Sequence, residues 1–256
     1  MAGNTPPNWA RRPVRTALTV GGSAAFGLLC GGWAARCFVQ GDPLTGLTTL
    51  GFAAFFFGLS LQHARGALFR NVTPRGTVER ASRVVLRPDR IGDGTLRAGM
   101  LLGAGGGLLF VILAPAGDLD ISLTAGQRTF LPIGVGAVLL MIGYTEVHRR
   151  RNGEPRVEMS PHGVVLVDSW SCSDFPWGEM VRIDDRTRSG TSQNGHPIVI
   201  ATSDRTHVFN DALSYTPGGA ALYWMLRHYW LHPDHRDELT DGRALRRYLA
   251  GDFPVE

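Results

Sequence analysis

The chain has 256 residues, of which 44% are hydrophobic and 19% are charged, and its formal net charge is +4. This length allows one large domain or two small ones, but the average composition hides a division: four stretches before Glu146 are nearly free of charge, and the rest of the chain is rich in it. The three cysteines form no CxxC pair, which argues against a disulfide framework or a cysteine zinc site. No GxSxG, Walker or dinucleotide-binding motif is present, so the sequence favours a protein that is not an enzyme and needs no cofactor.

The four uncharged stretches predict membrane-spanning helices at 16–35, 44–62, 100–117 and 129–145. A helix rises about 1.5 Å per residue and the hydrocarbon core is about 30 Å thick, so the first stretch fits comfortably and the last two need an extra turn from their flanks. A cleaved signal peptide is the alternative for the first stretch, but its length favours a retained span. Buried helices of a soluble protein are the alternative for all four, and the all-round apolar segment LTTLGFAAFFFGL argues against them.

Arginine, which supplies every basic side chain, predicts the orientation of these spans. It is concentrated in the N-terminal tail, in the loop of residues 65–99 and in HRRR after the fourth stretch, whereas the opposite connections carry only Arg36 and Arg128. By the positive-inside rule, we expect a multi-pass protein of the bacterial inner (plasma) membrane with a cytoplasmic N-terminus, C-terminus and middle loop.

Glycines at 27 and 31 and in GAGGG, 103–107, predict close helix packing, either within the bundle or as the seam of a homo-oligomer. No predicted span has an ionisable residue near its centre, which argues against transport.

The middle loop mixes arginines with Val84, Val85 and Leu86, a combination suited to lying on an anionic leaflet. Membrane lipids are therefore expected partners. The alternative is that the charges only set the topology. The candidate lipid contacts are Arg80, Arg83, Arg87 and Arg90.

From residue 152 the pattern changes to short strands, followed by one amphipathic helix. The predicted strands are RVEMS, VVLVD, EMVRIDD, IVIATSD and THVFN, and the helix AALYWMLRHYWL places Leu222, Met225, Leu226 and Tyr229 on one face. We therefore predict a membrane α-helical domain at 1–151, with the loop 65–99 as part of it, and a cytoplasmic α+β domain at 152–256.

Strands closed by one helix, together with SPHGVVL and with DFPWGEM leading into VRIDD, resemble the bacterial pleckstrin-homology-like (PH-like) domain membrane proteins, especially those of actinobacteria. The resemblance covers roughly residues 155–231 and implies a PH-like barrel with a capping C-terminal helix and no catalytic motif. Its recurrent motif corresponds to Pro176, Trp177 and Glu179. Proline belongs at a strand start or edge, and we expect Trp177 to close one end of the barrel, with a ligand-stacking tryptophan as the alternative.

A cluster of His228, His232 and His235 raises the alternative of a metal-dependent activity, because two histidines four positions apart share one helix face. Pro233 interrupts that helix and argues against a metal site.

The long connection of residues 184–197 carries the candidate interaction residues Arg186, Arg188, Gln193, Asn194 and His196. Its alternative is a disordered hairpin tip that binds nothing. We expect a non-enzymatic, membrane-anchored interaction module that binds a membrane or cytoplasmic protein partner, with anionic-lipid binding as the rival function. Nucleic acid is not an expected partner, because the basic charge adjoins the membrane spans and no aromatic platform accompanies it.

Overall fold

A computed structural model of the chain describes residues 6–7, 9, 13–69, 71–79, 83–186 and 196–255. The chain forms two compact units. The helical unit comprises Val14–Ala64 and Asp93–Val147, and the sheet unit comprises Met1–Pro13, Arg65–Gly92 and His148–Glu256. This division differs from the predicted boundary at 151/152, because most of the middle loop and the N-terminal tail group with the C-terminal half.

Four long helices form the helical unit, and each is long and apolar enough to cross a membrane. They confirm the four predicted helices, and the two short stretches do extend into their flanks. Asp42 begins the second helix by accepting a hydrogen bond from the backbone N–H of Thr45 (3.2 Å), with Pro43 at the first helical position. The helices are α1 (Pro13–Gln40), α2 (Pro43–His63, followed by a π-helical turn at Ala64–Leu68), α3 (Arg90–Ala116) and α4 (Ala125–Asn152).

Glycines bring α2 and α3 into backbone contact. A Cβ added to Gly51 would lie 2.7 Å from Cα of Gly106, and one added to Gly99 would lie 2.8 Å from the carbonyl oxygen of Ala54. Only glycine allows this approach. The GAGGG stretch is therefore a packing face inside the bundle, as predicted.

The sheet unit contains two antiparallel sheets with strand orders β1-β2-β3-β4-β5 and β6-β7-β8. The strands predicted between residues 156 and 209 are confirmed. No ladder hydrogen bonds join the two sheets among the described residues, so a closed barrel is not formed there. The strands are β1 (Arg75–Glu79), β2 (Arg83–Arg87), β3 (Arg156–Met159), β4 (Gly163–Val167), β5 (Cys172–Pro176), β6 (Met180–Asp184), β7 (Ile198–Thr202) and β8 (Thr206–Phe209).

Strands β1 and β2 come from the middle loop, where the sequence predicted a segment lying on the membrane. Val84, Val85 and Leu86 are 0% exposed, and β2 pairs with β3 through Val84–Met159 and Leu86–Val157. The run of apolar residues between arginines reflects a strand in the middle of a sheet, and burial on both faces explains why it does not alternate.

The buried Asp89 carboxylate anchors the base of this hairpin. It pairs with the guanidinium of Arg65 (3.0 Å) and accepts hydrogen bonds from the backbone N–H groups of Thr73 (3.4 Å) and Gly92 (2.9 Å). Gly92 lies in the first turn of α3, so Asp89 also caps the start of that helix.

Three helices complete the sheet unit: α5 (Ala220–Leu231), α6 (Glu238–Asp241) and α7 (Arg243–Ala250). The predicted face of α5, formed by Leu222, Met225, Leu226 and Tyr229, is fully buried in the core. Helix α7 covers β1, because the Leu245 side chain lies where a Cβ on Gly76 would stand.

Candidate interaction surface of the sheet unit

Trp9, in the tail before α1, is buried in the sheet unit. Its indole is 4% exposed, and its Nε1–H donates a hydrogen bond of 3.0 Å to the carbonyl oxygen of Pro197, 188 positions along the chain. The ring meets the imidazole of His196 edge-on at a centroid distance of 5.0 Å and lies 5.7 Å from the ring of Tyr223. A tryptophan side chain from one segment thus fills an aromatic recess formed by two others.

The backbone that leads to Trp9 forms a turn, and the side chains of Pro6 and Trp9 at its two ends are both buried. The Trp9 N–H donates to the carbonyl oxygen of Pro6 (3.1 Å), and Pro6 is also buried while Pro7 is exposed. Proline-rich segments commonly dock on aromatic grooves, because their backbone is already restricted before binding. Pro6, Trp9, His196, Pro197 and Tyr223 are called the Trp9 surface below.

Charged groups adjoin this surface at the end of β6. Burial raises the pKa of Tyr223 to about 12, with Arg227 opposing the shift and Asp185 and Asp184 adding to it. Tyr223 is therefore a neutral phenol at physiological pH. Arg227 donates a hydrogen bond to the carbonyl oxygen of Ile183 (3.0 Å), which fixes α5 against β6.

The predicted interaction loop leads directly into the Trp9 surface. Arg186 is exposed at the end of β6, and His196 is half-buried against Trp9. Arg188, Gln193 and Asn194 lie outside the described residues. The structure thus brings His196 together with Trp9 and Tyr223, which the sequence reasoning did not select. A lone tryptophan beside two prolines in a charged tail was the available signal for Trp9.

The candidate lipid-contact arginines differ in how far they are already paired. Arg83 forms ion pairs with Glu79 (2.8 Å) and with the buried Glu158 (2.7 Å). Its hydrogen bond to Glu79 and its proximity to Glu158 raise the pKa of Arg83. Arg87 donates to the hydroxyl of Thr77 (3.1 Å), whereas Arg90 is exposed at the start of α3. Arg80 lies outside the described residues.

The Pro-Trp motif lies between the two sheets in the chain. Pro176 is the last residue of β5, an edge strand, where a missing N–H costs no ladder bond. Trp177 is 4% exposed, donates from Nε1 to the carbonyl oxygen of Ser160 (2.8 Å) and has the guanidinium of Arg236 at 4.9 Å from its ring. Glu179 is exposed. The indole of Trp177 is therefore part of the core.

The structure brings the three histidines together at the C-terminal end of α5. His235 Nδ1 lies 3.1 Å from His228 Nε2, and Arg247 Nη1 lies 3.2 Å from the same nitrogen. Because arginine is always a donor, this contact leaves His228 Nε2 as an acceptor. Across the described part of the chain, no group of three or more histidine, cysteine or carboxylate side chains is arranged to hold a metal ion.

An ion pair between Arg247 and Glu238 links the C-terminal helices. Burial opposes ionisation of Glu238, but hydrogen bonds from Arg247 (2.8 Å) and from the hydroxyl of Tyr229 (2.9 Å) outweigh it, and the pKa of Glu238 is lowered. These contacts join α5, α6 and α7, which is a structural role.

Comparison with known proteins gives no relative: no family model, no curated protein and no solved structure matches this chain.

Proposed function

We propose that the protein is a non-enzymatic, membrane-anchored interaction module, whose sheet unit is a PH-like domain that binds a protein partner at the cytoplasmic face of a bacterial inner membrane. The observation that carries the proposal is the docking of Trp9, since a recess that already holds a tryptophan from a distant segment has the chemistry to hold one from a partner. The preferred partner is an extended protein segment that carries an aromatic side chain.

The contacts of Trp9 support recognition of a segment by both shape and polarity. The indole is enclosed by rings of His196 and Tyr223, while its single polar group is satisfied by the Pro197 carbonyl. Aromatic anchors of this kind, buried in a recess with their polar atom paired, dominate the binding energy of many interfaces. Arg186 is exposed directly after Asp184 and Asp185, and we expect it to pair with an acidic residue of the partner.

Lipid-headgroup binding by the middle loop has less support. Two of its candidate arginines already have partners within the sheet unit: Arg83 with Glu79 and Glu158, and Arg87 with Thr77. Binding a phosphate through Arg83 would leave the buried Glu158 with one cation fewer, which costs stability.

The proposal is tested by partner association of the whole membrane protein after gentle extraction. Arg186→Ala with Arg188→Ala should abolish association. Arg186 is exposed, and substitution of an exposed residue changes stability by less than about 0.5 kcal/mol, so we expect the fold to stay intact. The matched control removes two exposed arginines elsewhere in the sheet unit, Arg151 and Arg246, and should keep the partner. Full association of the loop double variant would contradict the proposal.

A further inference from the structure

The helical unit has a large, partly open apolar cavity that is lined by residues of all four of its helices. The cavity has a volume of about 550 Å³ and is lined by side chains of α1, α2 and α4, by Gly103 and Gly107 of α3, and by Ile121 of the α3–α4 connection. This volume lies in the usual range for ligand pockets, about 300–1,000 Å³.

Water is a poor occupant of this cavity. Its only polar side chains are Cys30 and Thr49, and the Thr49 hydroxyl already donates to the carbonyl oxygens of Thr45 (2.9 Å) and Gly46 (3.1 Å) within its own helix. A buried water needs two to four polar partners, which this lining does not supply. Leaving the space empty would deprive the lining, including Phe52 and Phe55, of dispersion contacts.

A helix of a second protein is also a poor occupant. A helix with its side chains is about 10 Å across and rises about 5.4 Å per turn, so the cavity would hold little more than one turn. A flexible, unbranched hydrocarbon chain fits both the volume and the lining.

A cation lies at one end of the cavity. Arg128, in the first turn of α4, is one helical turn from Leu131, which lines the cavity, and residues three apart share a helix face. The Arg128 guanidinium also adjoins the α3–α4 connection, since its Nη1 would lie 2.7 Å from a Cβ on Gly117. An anionic group held by Arg128 would therefore be close to a chain inside the cavity.

We infer that this cavity binds one acyl chain of a glycerophospholipid, with the lipid phosphate at Arg128. The hydrocarbon core of the membrane supplies such chains. A chain in the cavity would contact the α4 side chains that the other three helices leave uncovered. This inference concerns the helical unit alone and does not depend on the proposed function of the sheet unit.

Gly134 offers a way to fill the cavity without disturbing the bundle. It lines the cavity, and a Cβ added there meets nothing within 4 Å. Gly143 is the matched control: it is equally open, and at about 100° per residue it points to the opposite side of α4.

The test uses the full chain in nanodiscs that contain phosphatidylglycerol with a photoreactive group near the end of one acyl chain. Labelling is mapped by mass spectrometry. The expected result is labelling of Phe52 and Phe55 that is lost in Gly134→Leu and kept in Gly143→Leu, while labelling of the exposed Leu140 is the same in all three proteins. Labelling confined to outward-facing residues in the unsubstituted protein would overturn the inference.

Arg128→Gln tests the phosphate position. It should weaken labelling of the cavity by the phosphatidylglycerol probe and leave labelling by an uncharged diacylglycerol with the same reactive chain unchanged. Equal labelling of Arg128→Gln and the unsubstituted protein by the anionic probe would overturn the assignment to Arg128. Retention of an isoprenoid or a free fatty acid by the purified protein, in place of a phospholipid, would overturn the identity of the ligand.

Discussion

Two tryptophans seven positions apart have opposite environments and test the role of the Pro-Trp motif. Trp177 is 4% exposed and Trp170 is 49% exposed. Trp177→Ala should lower the free energy of unfolding by about 3–5 kcal/mol, because it leaves a cavity in the core, while Trp170→Ala should change it by less than about 0.5 kcal/mol. Pulse proteolysis of the full chain in urea, followed by cleavage within the sheet unit, measures both changes. A stable Trp177→Ala protein that has lost its partner would instead assign ligand binding to this indole.

A half-buried histidine on β8, His207, predicts a pH dependence of stability. Burial lowers the pKa of His207, with Arg205 adding to the shift and Asp168 opposing it. Its Nε2 is buried and has no hydrogen-bond partner among the described residues. The neutral imidazole is thus favoured in the folded state. Stability should be fully present above the ordinary histidine pKa of about 6.5 and should fall as the pH decreases from there towards the folded pKa.

The measurement is the urea concentration at which half of the sheet unit is unfolded in the full chain, determined at a series of pH values from neutral to about 5. His207→Gln should lose less stability over this range than the unsubstituted protein, and the exposed His162→Gln should behave like the unsubstituted protein. Identical pH profiles for all three proteins would contradict the account of His207.

At the level of elements, the sequence predicted the strands that pair with a strand close by in the chain, as β3 does with β4. Strands β3 and β4 flank the short turn at Pro161 and His162; apolar residues alternate along β3 and are continuous along β4. Strand β2 was not predicted, because its partner β3 lies beyond two spans in the chain and the arginines at its ends dominate the local composition. Trp9 was missed for the same reason: its contact with Pro197 crosses 188 positions, and no local period reports such a pairing.

The β1–β2 hairpin pairs with β3, so we expect the C-terminal part of the sheet unit to need it in order to fold. A fragment of residues 152–256 lacks β1 and β2, so the pairing edge of β3 and the apolar side chain of Val157 would be exposed. We expect this fragment to be protease-sensitive and prone to aggregation. A matched chain with residues 71–90 joined in front of it by a flexible linker should be more resistant. Equal resistance of the two chains would show that the hairpin is dispensable.

At the level of the whole molecule, the arginine distribution predicts the orientation of both units. Reporter fusions after Gly41, Asn71, Leu123 and Glu256 should report outside, inside, outside and inside, because arginine-rich segments stay on the cytoplasmic side. A periplasmic signal from the Glu256 fusion would place the sheet unit on the wrong side of the membrane for the proposed function.

If the recess of His196, Pro197 and Tyr223 is an interaction site, it should bind an aromatic segment in trans once Trp9 has been removed from it. A fluorescent peptide of residues 4–14 is titrated against the full-length Trp9→Ala protein and the unsubstituted protein, and fluorescence anisotropy is measured. We predict saturable binding to Trp9→Ala and weaker binding to the unsubstituted protein, where the tethered Trp9 competes at a high effective concentration. The same peptide with alanine in place of its tryptophan should not bind. Absence of binding to a folded Trp9→Ala protein, or equal binding of the two peptides, would contradict an interaction surface at this recess.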